Sequence, residues 1–547
     1  MPNTKHTRNI FLSQSEWRKK SVYHIYPRSF HDGPPNDGNG DLAGIIEKLD
    51  YLQDLGVDVI YLSPIYPSPM KDNGYDVEDY LNVNPLFGDQ KTMDRLIANV
   101  HERNMMLMMD FVPNHTSDQH QWFKQSRSSK NNPKRNWYHW HKGKTDGSKP
   151  NNWINMFDNT SGSAWTYDQK TEEYYLHSFL KEQPDLNWDN PEVVKEMHNI
   201  LMSWMDRGVD AFRIDVGLYI IKHLKYPDEP LNPDYVKGIS HPNDIYFHIA
   251  SKDQPKGYKK LADMGNLVGS RGGFVVQEVY VGAEERTILY RLSEHGLSVP
   301  FNFDFILHTK WNAKEVKKAI FDYYALLKDN DIVPLPLGNH DQPRIASRLG
   351  SQKDARVAAM LQLTLDCVPF IFQGEEIGME DVEVPPEKRN DPFIDKSRDP
   401  ARTPMQWDDS PNAGFTKKGI ETWLPVADNY KERNVKNQRN NPKSIYSLYR
   451  KLLALRKKEL VPGRPIEIDV HNNNVLAYTR NTKNDQRILI LLNLSNNSET
   501  IAVGSLSIKS SMLLFNTSLD KNPGESVNLE NFLLKPKEGY ICSISLK

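Results

Sequence analysis

The sequence predicts an α/β protein: a (β/α)8 TIM barrel with a small domain inserted after strand 3 and a C-terminal antiparallel β domain. Three observations carry this reading. Short apolar strands alternate with amphipathic helices along most of the 547 residues. The alternation breaks once, from about Phe111 to Leu186, for longer than an ordinary loop runs. Beyond the helix around Ser447 to Lys457, helical periodicity gives way to short strands split by polar turns.

The first strand is "VYHIYPRSF", Val22 to Phe30. In "DLAGIIEKLDYLQDLG", Leu42, Ile45, Ile46, Leu49, Leu52 and Leu55 recur at helical spacing, and Gly56 is placed to end the helix. "VDVIYLSPIY" reads as the second strand, "DQKTMDRLIANVHERN" as its helix and "MMLMMDFVPNH" as the third strand. A polar, aromatic stretch follows, and barrel units resume with the helix "PEVVKEMHNILMSWMDRG" and the strand "VDAFRIDV". "GFVVQEVY", "VPFNFDF", "DIVPLPLGNHD" and "VPFIFQGEEIG" bring the strands to the number that closes such a barrel. A charged, proline-containing loop runs from Glu380 to Phe415. "NNVLAYTRN", "QRILILLNLS", "ETIAVGS", "SSMLLFNTS" and "EGYICSISL" then form the β domain. The predicted division is barrel over 1–110 and 187–462, inserted domain over 111–186, and β domain over 463–547.

Composition narrows the function. The net charge is -2 with no basic stripe, which argues against a nucleic-acid partner. Cys367 and Cys542 lie far apart in the chain, so no disulfide framework is expected and a reduced compartment fits. No window of roughly 18 apolar residues exists, so no membrane span or membrane partner is expected. The N-terminal "MPNTKHTRNIFLSQSEWRKK" lacks the apolar core of a signal peptide. The expected location is the cytoplasm, or outside the cell if a leader has been removed from this numbering. The expected state is a monomer or homodimer. Aromatic residues make up 10% of the chain, enough for a large core and also what a sugar site uses, because aromatic faces pack on the apolar faces of pyranose rings.

The chemistry reads from the strand ends, where barrel enzymes carry their sites. The carboxyl ends present Asp110, Asp215, Glu278 and Asp341, with His115 and His340 beside them. One strand-end Asp is ordinarily a cap or a surface pair. Several acids interrupting apolar strands at one mouth, with no Cys/His ligand set, suggest glycoside chemistry. One carboxylate attacks or stabilises an oxocarbenium-like centre, a second, kept protonated, gives a proton to the leaving oxygen, and a third grips sugar hydroxyls. Arg213 is two residues before Asp215, so both point to one face of the strand, and a cation there is expected to hold Asp215 ionised and oriented.

"DFVPNH", "DAFRIDV", "VVQEVY" and "LGNHD" resemble the four signature segments of the α-amylase superfamily, glycoside hydrolase family 13. "QPDLNW", "YPRSF", "DNGYDVEDY" and "RDPARTPMQWDDSPNAGF" are similar to its oligo-1,6-glucosidase/α-glucosidase branch, over nearly the whole chain and in order. The resemblance implies that Asp215 is the nucleophile, Glu278 the general acid/base and Asp341 the transition-state stabiliser. It implies that His115 and His340 bind hydroxyls of the cleaved sugar, with Tyr75 stacked under it, and that Asp72 and Arg402 pair to close the pocket floor. Arg213, Val216 and Arg344 join the implied substrate-binding set. No cofactor is implied for catalysis, and the expected partner is a small oligosaccharide or disaccharide. Retention of configuration goes with catalytic carboxyls roughly 5–5.5 Å apart.

Two stretches depart from the family pattern. Many relatives carry a cation loop resembling "DSNGDGIGDL"; here "DGPPNDGNGDL" is one residue longer and has Pro35 near an expected ligand. Asp32, Asp37, Asn39 (through its carbonyl) and Asp41 can still supply oxygens to a structural Ca2+ or Mg2+, or make a metal-free Asp/Gly turn. "DVGLYIIKHLKYPDEPLNPDYVKGISHPND" is similar to animal-type and some bacterial α-glucosidases instead. Val after the nucleophile accompanies α-1,6 activity in related enzymes, and Val216 leans that way. The implied activity is an exo-acting retaining α-glucosidase on isomaltose-, maltose- or sucrose-like substrates. The alternatives are a glucosyltransferase or isomerase with the same acids, against which "FDFILHTKW" lacks the charged cluster of sucrose isomerases, and, remotely, a silent transporter-associated subunit. Trp153, Phe157 and Phe179 are candidates for the aglycone wall.

Overall fold

The computed structural model describes residues 11–157, 162–237, 240, 242–307, 309–393, 397–483, 486–503 and 506–546. The first ten residues, and 394–396 of the charged loop, lie outside them. Eight strands form one parallel sheet: β1 (Val22–Ile25), β2 (Val59–Leu62), β3 (Met106–Phe111), β4 (Ala211–Ile214), β5 (Phe274–Gln277), β6 (Ser298–Pro300), β7 (Pro334–Pro336) and β8 (Val368–Phe372). Seven fall within the predicted segments; β6 begins one residue before "VPFNFDF" and covers only its first two residues. The spatial order is β7-β8-β1-β2-β3-β4-β5-β6. β6 and β7 share no ladder; the Asn302 N–H donates to the Pro334 carbonyl at 3.0 Å across the gap. Every residue of these strands is buried, which is why they read as continuous apolar runs: helices cover the outer face.

Local chemistry sets the helices. Pro191–Arg207 starts with Asn190 capping the Glu192 N–H and Pro at the first position, and ends on Gly208 at φ 114°. The single helix expected after β1 is two, Leu42–Glu47 and Leu49–Leu55, because Lys48 (φ -105°, ψ 5°) breaks the turn between them. Asp41 caps the first through the Gly44 N–H, and Gly56 ends the second at φ 99°.

After β3 comes a three-stranded antiparallel sheet, Trp140–His141, Glu173–Leu176 and Trp165–Asp168 in that order. The segment after β4 packs against it: Trp153 Nε1 donates to the Pro227 carbonyl at 2.8 Å and Asn243 Nδ2 to the Asn155 carbonyl at 2.7 Å. The C-terminal region forms a five-stranded antiparallel sheet with a two-stranded companion, Glu499–Ile501 with Phe532–Leu534. One face builds its own core around Leu489, Leu491 and Cys542, while Leu476, Tyr478, Ile490 and Ile541 belong to the barrel's core. Both cysteines are buried and free. Among the described residues, no helix is long and apolar enough to cross a membrane.

Candidate active site

Parallel register places the site. Asp110, Arg213 and Val276 lie side by side across β3, β4 and β5. Asp215 and Glu278 are the first residues past their strands, and each continues the ladder by one bond. The Asp215 N–H reaches the Phe111 carbonyl and the Glu278 N–H the Ile214 carbonyl, both at 2.9 Å. Both side chains therefore rise from backbone pinned by its neighbour.

Arg213, 3% exposed, ties the acids together. Its Nη1 donates to both Asp110 oxygens (2.8 and 3.0 Å) and to Asp215 Oδ1 (2.6 Å), while Nη2 lies 2.6 Å from Glu278 Oε2. Arg213 pulls Asp215 towards the ionised form as expected, but other contributions oppose it. One guanidinium is divided among three buried carboxylates, so burial, with repulsion from Glu278 and Asp110, pushes Asp215 well above the usual carboxylate range against Arg213's pull. Arg213's charge favours the ionised form of Asp215, and its Nη1 bond orients the carboxyl.

Asp341 has the opposite surroundings. Burial alone would raise it, but the His340 ring and the guanidiniums of Arg398 and Arg402, both 3.0 Å from Oδ1, hold it well below the ordinary range. His340 is itself kept neutral by burial, so the arginines carry the effect. Tyr75 joins the two halves: its hydroxyl donates to Asp110 Oδ2 at 3.0 Å and pairs with His340 Nε2 at 2.8 Å, the rings stacked at 5.5 Å.

The floor pair differs from expectation. Asp72 pairs with Arg398 at 3.0 Å, and Arg402 turns to Asp341 and the His340 carbonyl. Arg398 stands just before the short helix Asp399–Arg402, four residues ahead of Arg402, so both arginines reach the same acid; that spacing in "RDPAR" was the overlooked signal. Burial pushes Asp72 up to about 6, opposed by Arg398. Gln183 Nε2 donates to Asp72 at 3.0 Å and lies 3.1 Å from His115 Nε2. Burial pushes His115 down to about 4, leaving it neutral.

Behind His115 sits a second buried pair. Lys222 Nζ is 2.9 Å from Asp185 Oδ2, both side chains fully buried, and it also donates to Ser178 and Asn114. Asp185 and Ser178 come from the inserted segment, Asn114 from the end of β3 and Lys222 from the segment after β4. Gln183 and Asp185 both stand in "QPDLNW", so the motif marked them without giving their roles.

Val216 lies at φ 35°, ψ 44°, outside the strand it was read into, and its N–H donates to Glu278 Oε2 at 3.0 Å. Phe157 and Phe179 pack beside site residues: Phe157 lies under Arg398, and Phe179 packs between His115 and Tyr219. Trp153 does not; it packs on Trp165 and Tyr226 in the core of the small sheet. Arg344 is also elsewhere. Its guanidinium donates to the Gln373 carbonyl and lies over Phe372, so it braces the wall behind β8.

The loop proposed for a cation offers oxygens that are already engaged. Asp32 accepts the Gly38 N–H and the Thr416 hydroxyl, Asp37 accepts the Asn39 N–H, and Asp41 caps a helix. Arg28 donates to the Asn39 side chain, Oδ1, at 2.7 Å. Among the described residues, no group of three or more His, Cys, Asp or Glu is placed to hold a metal.

The family model described as "Alpha amylase, catalytic domain" matches residues 24–463. The chain is 39% identical to an oligo-1,6-glucosidase from Halalkalibacterium halodurans, covering 97% of this chain and 99% of that one. It is 38% identical to an alpha-glucosidase from Schizosaccharomyces pombe over 88% of this chain and 90% of that one. Among solved structures it is similar to the α-glucosyl transfer enzyme XgtA (TM-score 0.87, 32% identity, 97% and 99% coverage). It is also similar to the trehalulose synthase MutB from Pseudomonas mesoacidophila (TM-score 0.85, 34% identity, 97% and 99% coverage).

Proposed function

The chain belongs to the α-amylase family of glycoside hydrolases, and from that premise we propose that it is an exo-acting, retaining α-glucosidase of short α-glucosides. The observation that carries the reading is the single buried guanidinium, Arg213, gathering Asp215 and Glu278 at adjacent strand ends. In this reading the Asp215 carboxylate attacks the anomeric carbon while Glu278 protonates the departing oxygen, giving a covalent glucosyl-enzyme. Glu278 then takes a proton from water, whose oxygen displaces Asp215. Asp341, kept ionised by Arg398 and Arg402, faces the positive charge that develops on the ring. The neutral rings of His115 and His340 suit hydroxyl contacts. The Asp72–Arg398–Asp341 lattice supports a closed floor, which favours chain ends over internal bonds.

Transfer competes with hydrolysis at the glucosyl-enzyme, because a second sugar can take the place of water. The likeness to a glucosyl transfer enzyme and a trehalulose synthase favours keeping that reading. A product time course on sucrose, maltose, isomaltose and trehalose separates them: free α-glucose as first product supports hydrolysis, and a new disaccharide supports transfer or isomerisation. Asp215→Asn is expected to cut kcat at least about a thousandfold with the fold intact by circular dichroism. Near-normal turnover in that folded variant would sink the assignment.

A further inference from the structure

We propose that the Tyr280 hydroxyl is a positioning group for Glu278, holding Oε1 as the oxygen through which the proton is exchanged. This rests on the acid/base assignment of Glu278 above.

The two oxygens of Glu278 are served differently. Oε2 accepts the Val216 N–H at 3.0 Å and lies 2.6 Å from Arg213 Nη2. An oxygen that already faces an amide and a guanidinium is poorly placed to carry a transferable proton. Oε1 instead accepts the Tyr280 hydroxyl at 2.7 Å. Ring packing fixes that hydroxyl. Tyr280 stacks on Phe303 at 5.2 Å and 17°, and Phe303 stacks on Phe301 at 5.0 Å and 28°. The residue is 43% exposed, and its hydroxyl end is directed onto Glu278. Burial, reinforced by the Glu278 and Asp341 charges, pushes the phenol well above its usual value, so it remains a donor. Val216 and Tyr280 thus hold the carboxyl from both sides.

The proton steps follow. In the first half-reaction the proton on Oε1 passes to the glycosidic oxygen as the C1–O bond breaks and C1 bonds to Asp215. Glu278, now a carboxylate, keeps the Tyr280 O–H on Oε1. In the second half-reaction water gives a proton to Oε1 while its oxygen bonds C1 and Asp215 leaves. In each half the hydroxyl occupies one lone pair of Oε1 and leaves the other aimed at the substrate.

Tyr280→Phe keeps the ring stack and removes only the hydroxyl. The test compares kcat/KM for isomaltose, whose sugar alkoxide needs a proton to leave, with that for 4-nitrophenyl α-glucoside, whose phenolate does not. The expected loss is at least about tenfold on isomaltose and under about twofold on the aryl glucoside. Equal losses, or none on either substrate, would overturn the proposal. Glu278→Gln, run in parallel, should show the same split on a larger scale. If Glu278→Gln shows no split, the acid/base assignment fails and the inference falls with it. If Glu278→Gln shows the split and Tyr280→Phe does not, the inference alone fails.

Discussion

Val216 carries more than an apolar side chain. A β-branched residue in the left-handed region costs about 1–3 kcal/mol, and such strain persists where surrounding contacts enforce it. Here the Val216 N–H on Glu278 and the Gly217 N–H on the Glu278 carbonyl enforce it, so the turn after Asp215 is held by Glu278. On the proposed reading, linkage preference and acid placement meet at this residue. Val216→Thr is expected to raise the maltose-to-isomaltose ratio of kcat/KM by roughly three- to tenfold, and an unchanged ratio would place the preference in the inserted segment instead. The acids themselves were legible, because charges interrupting apolar strands at one end have few structural explanations. Asp210, four residues from Ile214 on the same segment, stands apart: it bonds His101 and the Leu107 N–H at the far end of β4. The turn at Val216 was not legible, since Val209, Phe212, Ile214 and Val216 continue a strand pattern through it, and only Gly217 hints at the break. Which arginine meets Asp72 was equally hidden, for sequence spacing puts Arg398 and Arg402 on one helical face without choosing between them.

Among elements, the inserted segment is fastened to the barrel by charge in a dry place. Lys222 and Asp185 bury both charges completely, and their shared partners Asn114 and Ser178 come from the two sides of the joint. Removing one partner of such a pair strands the other. Lys222→Met is therefore expected to cost about 3–5 kcal/mol in urea unfolding and to raise KM for glucosides, because Gln183 and His115 hang from the same segment. Adding Asp185→Asn to it should recover part of the stability, as the stranded charge is gone; no recovery would mean the pair is not what fastens the joint. The eight barrel strands were readable because parallel strands covered on both faces are apolar throughout. The strands Ile466–Glu467 and Phe532–Leu534 were not, being two or three residues long and partly exposed. Nor was the packing of the segment after β4 on the small sheet, which depends on side-chain-to-carbonyl bonds with no sequence period.

At the scale of the molecule, the C-terminal sheet is structural to the barrel. Tyr478 bonds Thr364, Arg356 reaches the Thr517 carbonyl at 2.8 Å, and Lys537 pairs with Asp354 at 3.0 Å. With a core shared across that joint, the chain is expected to unfold in one step. All 11 tryptophans precede residue 424, so their fluorescence reports the barrel and inserted segment alone, while far-ultraviolet circular dichroism reports every sheet. The two melting curves should coincide, and a separate later or earlier phase in dichroism would show an independent C-terminal domain. The division into a barrel, an insertion and a terminal sheet was visible in the texture of the sequence; the sharing of a core between two of them was not, because both faces of that sheet are apolar for different reasons. The missing ladder between β6 and β7 gives the cylinder a seam. Prolines at Pro300, Pro334 and Pro336 withhold the amide hydrogens that would stitch it. Asp215 and Glu278 stand on staves joined without interruption, whereas Asp341 follows the first stave past the opening. Compliance in this wall is thus concentrated beside Asp341, and the uninterrupted ladder that carries Asp215 and Glu278 is shielded from it.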